Sequence, residues 1–96
     1  MRKIEDIVLF RLWCKILNEN NNIISEVTIE DSSDVNRTKK VLGALSSGCL
    51  ELDLAEPIWL ESNINEFRAH SKTRFGKDSF IEGIDFNALE IEVIEE

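Results

Sequence analysis

A chain of 96 residues holds one domain, read here over residues 1–96, and can bury a core without a disulfide or metal staple. With 43% hydrophobic and 31% charged residues, it has the composition of a folded soluble domain, not a disordered one. The net charge of -8 is placed unevenly: the first 48 residues carry seven Lys/Arg and seven Asp/Glu, the last 48 carry four and twelve. That excludes the basic footprint of direct nucleic-acid binding and argues against an anionic membrane surface, leaving a basic protein surface as partner, or solubility alone.

Residues 6–17, DIVLFRLWCKIL, put Val8, Phe10, Leu12, Cys14 and Ile16 on one side of a two-residue period, which predicts a strand. A helix competes through Ile4, Ile7, Val8, Leu12 and Ile16, but it strands Leu9, Phe10 and Trp13 on the wrong side. The NENNN run at 18–22 predicts a turn, since Asn tolerates left-handed backbone. IISEVTIED at 23–31 alternates again, so the two runs read as a β-hairpin. Ser32, Ser33 and Asp34 are N-cap candidates for a helix over VNRTKKVLGALSSG, with Gly48 as its stop. Gly43 inside that helix suggests close packing on the sheet. Cys49 to Leu60 is a connector broken at Pro57. Asn63 with Glu66 predicts the cap of a second helix carrying Ile64 and Phe67, which ends within 72–77. Gly83 makes a last bend. A terminal strand then sets Leu89, Ile91 and Val93 against Glu90, Glu92 and Ile94. The expected fold is α+β: an N-terminal β-hairpin, two helices and a C-terminal strand, forming a small antiparallel sheet of three strands with the helices on one face.

The run Leu52-Asp53-Leu54, Pro57-Ile58-Trp59-Leu60, Phe67, Thr73, Phe75, Asp78, Phe80-Ile81-Glu82, Asp85-Phe86 and Leu89-Glu90-Ile91-Glu92-Val93-Ile94 resembles a family of small bacterial proteins of unknown function. The resemblance covers a little under half the chain. It implies a compact bacterial domain and carries no catalytic or ligand-binding role.

The sequence offers little catalytic chemistry. Cys14 and Cys49 form no CxxC and read as reduced core residues of a cytoplasmic protein; a disulfide between them is the minority reading. His70 stands alone, and its neighbour Ser71 points elsewhere on a helix. The four glycines are too dispersed for a phosphate loop. The Ca²⁺-loop pattern begun at Asp85-x-Asn87 fails at Leu89 and Glu90. No catalytic residue, metal or other cofactor is therefore assigned. The arginine and lysine at positions 2 and 3 are followed by acids at positions 5 and 6, and the apolar run over 7–10 stops at Arg11, so no signal peptide is expected, and no run is long enough to span a bilayer. Trp59, Phe67, Phe75, Phe80 and Phe86 read as core before they read as a ligand box.

Two surfaces are candidates for partner binding. Leu9 and Trp13, with Leu17, would form an apolar patch if that face of the first strand is open. Glu82, Asp85, Glu90, Glu92 and Glu95 would form an acidic face, with Glu51, Asp53, Glu56 and Glu61 as a second acidic stretch. Such carboxylates could imitate a row of phosphates; the plainer alternative is a solvated face and a charged edge that blocks aggregation. The leading expectation is a small acidic non-enzymatic protein-binding module. Its sharper form is a mobile-element or phage-type inhibitor, anti-CRISPR-like, that occupies the groove of a nucleic-acid-binding protein. The alternative is a housekeeping domain that binds a small molecule in a pocket around His70, Trp59 and Phe75, or forms a homodimer or larger homo-oligomer.

Overall fold

The alternation of the first apolar run is that of a strand. The computed structural model describes residues 9–96, and β1 runs over Phe10–Leu17. The beginning of the strand expected over 6–17 lies outside the described residues. Phe10, Leu12, Cys14 and Ile16 all face the core. The chain then turns through Asn18, whose side-chain oxygen accepts from the N–H groups of Asn20 and Asn22 at 2.9 Å each. Asn21 takes a φ of 64°, the left-handed backbone that Asn tolerates. The turn delivers β2, Ile23–Asp31, antiparallel to β1.

The first helix, α1, spans Arg37–Glu51. Its cap is Asn36, whose side chain accepts from Lys39 N–H at 2.9 Å, not one of the three expected cap residues. Asp31 instead holds Ser33 N–H at 2.7 Å in a local turn that precedes the helix. The glycine expectations also change. Gly48 is not the stop: it sits inside α1 against the sheet, where a Cβ would fall 2.6 Å from Cys14 Sγ. Gly43 has nothing within 4 Å of a Cβ, so sheet packing does not account for it. The helix ends at Leu52, and Asp53 follows at a φ of 60°.

The second helix, α2, spans Glu61–His70. Asn63 lies inside its first turn, not at the cap, and its side-chain oxygen accepts from Leu60 N–H at 3.1 Å. This buried Asn also donates to Thr73 Oγ1 at 2.9 Å and to the carbonyl of Arg74 at 2.8 Å. Thr73 Oγ1 in turn donates to Glu66 at 2.6 Å. These bonds hold a strand that was not expected: β3, Lys72–Phe75. Ser71 at a φ of 55° ends α2 and turns the chain directly into it. A single 3-10 turn at Lys77–Ser79 and a loop follow, then β4 at Ala88–Glu95.

The sheet is therefore four-stranded and antiparallel, in the order β2-β1-β4-β3, with both helices on one face. The terminal strand β4 is central, between β1 and β3. Leu89 and Ile91 are fully buried beneath α1 and α2, in one core cluster with Leu12, Cys14 and Phe75 of the sheet and Leu45 of α1. Trp59 packs edge-on against Phe67 and Phe75, with centroids 5.5 and 5.0 Å apart. The other face of the sheet carries the charged rows.

Candidate partner-binding surface

Register decides what the carboxylates of β4 meet. Arg11 of β1 stands opposite Glu30 of β2 and Glu95 of β4, and Lys15 stands opposite Glu26 and Glu90. On the other side of β4, Lys72 pairs with Glu92 and Arg74 with Glu90. Each acidic position is thus laid beside a basic one. Lys15 Nζ lies 2.9 Å from Glu90 and 3.1 Å from Glu92, and Arg74 Nε donates to Glu90 at 2.9 Å. Lys15 and Glu90 are only 5% and 7% exposed, because Trp13, Arg74 and their neighbours close over them. Burial by itself would raise the Glu90 pKa. The hydrogen bonds and positive charges of Lys15 and Arg74 outweigh it and hold that carboxyl below its ordinary value. Glu95 is 3.5 Å from Arg11, which also reaches Glu30 at 3.1 Å. Three of the five expected carboxylates, Glu90, Glu92 and Glu95, are therefore spent on ion pairs within the chain.

Trp13 lies on this same open face, half-buried. Its indole N–H donates to Glu26 at 2.7 Å, and Lys15 Nζ sits 3.9 Å from the ring centroid. Leu9 is half-buried, and Leu17 is buried at 2% exposure. The row of Leu9, Trp13 and Leu17 is thus interrupted by the charges of Arg11 and Lys15 and closed at its Leu17 end.

The remaining two carboxylates stand elsewhere. Glu82 and Asp85 project from the 80–87 loop beside the connector that leaves α1. With Asp53 they line a cavity of about 500 Å³ whose other walls include Leu54, Phe80, Ile84 and Phe86. All three acids are exposed, whereas Phe80 and Phe86 are buried and pack edge-on, 5.9 Å apart. Among the described residues, no basic residue lines the cavity. Among the described residues, none of the three carboxylates has an ion-pair partner. Asp53 was legible as part of an acidic stretch, but its meeting with Glu82 and Asp85 depends on the connector folding back under the loop. Nearby, α1 ends on Glu51 with no basic residue in its last turn, so a carboxylate sits at the negative end of the helix dipole, where it is disfavoured.

A second concavity lies between the helices. Val41, Leu42, Trp59, Ile64 and Phe67 line a groove of about 340 Å³ with Arg37 and Arg68 at its rim. It borders one edge of the region around His70, Trp59 and Phe75. There Phe75 is fully buried, Trp59 fills the space beside it, and His70 is exposed at the end of α2.

The two thiols are free and buried. Burial, with a smaller contribution from Cys49, pushes Cys14 up to about 12. Burial, with the charge of Glu56, pushes Cys49 up to about 11. Both stay protonated near neutral pH, the opposite of an activated nucleophile. Among the described residues, no group of His, Cys, Asp and Glu could hold a metal ion, and no helix is long and apolar enough to cross a membrane. No family model, curated protein or solved structure matches the chain.

Proposed function

We propose that the chain is a non-enzymatic protein-binding module whose partner surface is the acidic cavity formed by Asp53, Glu82 and Asp85. The observation that carries this reading is the contrast in pairing: the sheet carboxylates are neutralised within the chain, and the cavity carboxylates have no ion-pair partner among the described residues. An apolar floor under an acidic rim suits a lysine or arginine side chain, whose methylene stem lies on Phe80, Phe86 and Ile84 while its charged end meets the carboxylates. A basic partner is the complement, and the nucleic-acid groove of another protein is one such surface. In that form the module is an inhibitor that competes with nucleic acid.

The test is capture of partners from nuclease-treated lysate on immobilised protein, eluted in salt steps, beside the variant Asp53→Asn/Glu82→Gln/Asp85→Asn. The expected result is a basic, nucleic-acid-binding protein retained by the native chain, released by moderate salt or added nucleic acid, and lost from the variant. Equal retention by both would remove the cavity from the reading. The groove at Trp59 favours a second reading, a domain that binds a small, largely apolar ligand beside Arg68, since Arg37 on the same groove is held by Glu96 at 2.7 Å. In that case Leu42→Trp, which fills the groove, abolishes ligand binding and leaves protein capture unchanged.

A further inference from the structure

The nine-residue strand β2 lies at one edge of the sheet and contacts β1 and α1. Folded proteins usually blunt such an edge by shortness, proline, lysine or a covering element. The opposite edge follows that rule, since β3 has four residues. β2 relies on the charges of Glu26, Glu30 and Asp31 instead: among the described residues it is the longest strand, and it has no Pro and no Lys. Its one irregularity lies near its start, where pairing passes from Ser25 to Ile23. Ile23 and Ile24 are 43% and 58% exposed there, and Val27 and Ile29 are only half-buried on the core side.

The charged rows of the outer face give this edge a preference. Strand by strand they alternate: Glu26 and Glu30 on β2, Arg11 and Lys15 on β1, Glu90, Glu92 and Glu95 on β4, Lys72 and Arg74 on β3. The acidic row of β4 has a basic row on each side. The acidic row of β2 has one, where Glu30 meets Arg11 at 3.1 Å and Glu26 accepts from the Trp13 indole, so each acid is engaged on one side only; among the described residues the other side of β2 is open backbone. We infer that β2 accepts a fifth strand from a partner chain, an extended segment with Lys or Arg at alternate positions and β-branched apolar residues between them. Its cations continue the alternation against Glu26 and Glu30, its apolar side chains cover the open flank of Val27 and Ile29, and its backbone completes the unpaired ladder. A second copy of this chain is the poorer occupant, because a β2–β2 pair lays one Glu26–Glu30 row beside another. The inference concerns a different surface from the acidic cavity and does not rest on it.

The probe is a short capped peptide alternating lysine and valine, added to the isotopically labelled native protein while amide hydrogen exchange is followed by NMR. The expected result is that alternate amides along β2 slow by about tenfold or more. The same peptide with N-methyl groups on the pairing edge, equal in charge, gives no slowing, and a glutamate–valine peptide gives none. Equal slowing by the N-methylated peptide would reduce the effect to charge attraction and overturn the inference, as would slowing confined to residues outside β2. Concentration-dependent slowing of the same amides without peptide would overturn it in favour of self-pairing. Glu26→Lys/Glu30→Lys is expected to exchange the preference, binding the glutamate–valine peptide and not the lysine–valine one.

Discussion

The molecule has two acidic regions, and they differ in what surrounds each carboxylate. On β4, the two-residue strand period places Glu90 and Glu92 on one face, and antiparallel register sets Lys15, Lys72 and Arg74 beside them. Those acids hold the sheet together. Around the cavity, Asp53, Glu82 and Asp85 come from a connector and a loop, where no register supplies cations. The comparison teaches that carboxylate density along a chain is a poor guide to a binding surface. Whether a carboxylate is already satisfied decides how much attraction it can offer a partner.

The sharpest way to break this contrast is to remove Glu90. Glu90→Ala leaves Arg74 without its carboxylate and Lys15, 5% exposed, with Glu92 alone. The expected cost is about 3 kcal/mol of stability, at the low end for a broken buried pair because Glu92 remains. Urea unfolding measures it, and a loss near zero would place Glu90 with the cavity acids. The pH dependence follows the same group. Its folded pKa is lowered, so its contribution is complete above the ordinary carboxylate range and is lost as pH falls through the folded value. Acid unfolding of Glu90→Gln is expected to be less steep than that of the native chain; parallel curves would refute the assignment.

Smaller effects sharpen the comparison. Trp13→Phe removes the indole donor to Glu26 and weakens the stack under Lys15, with an expected loss of about 1 kcal/mol. The cavity variant Asp53→Asn/Glu82→Gln/Asp85→Asn should change stability by no more than about 0.5 kcal/mol, as expected for exposed groups that have no partner among the described residues, while abolishing salt-sensitive capture. A large destabilisation there would mean that those acids serve the fold. Glu95→Gln, at an exposed pair with Arg11, should be the smallest, within a few tenths of a kcal/mol in the same unfolding assay.

Much of the architecture was legible because it rests on period and turn chemistry. The alternation of Leu12, Cys14 and Ile16, the Asn turn at 18–22 and the alternation of Leu89 and Ile91 specify β1, the hairpin and β4. The short strand β3 was hidden because four residues, KTRF, are too few for a period to stand out from the end of a helix. Its existence depends on Asn63, Thr73 and Glu66 meeting across two elements. The cap of α1 moved to Asn36 because Asp31 and Ser33 satisfy each other first.

The sequence by itself determined the α+β class, the hairpin, the buried face of each long strand and the excess of acid in the second half. These follow from local backbone preference and the spacing of apolar side chains, which act within a few residues. Tertiary structure alone decided that β4 lies centrally between β1 and β3, that Gly48 makes room for Cys14, and which carboxylates are paired. Those outcomes depend on register between strands far apart in the chain, where a shift of one position would place Glu90 on the core face and leave Lys15 without its partner.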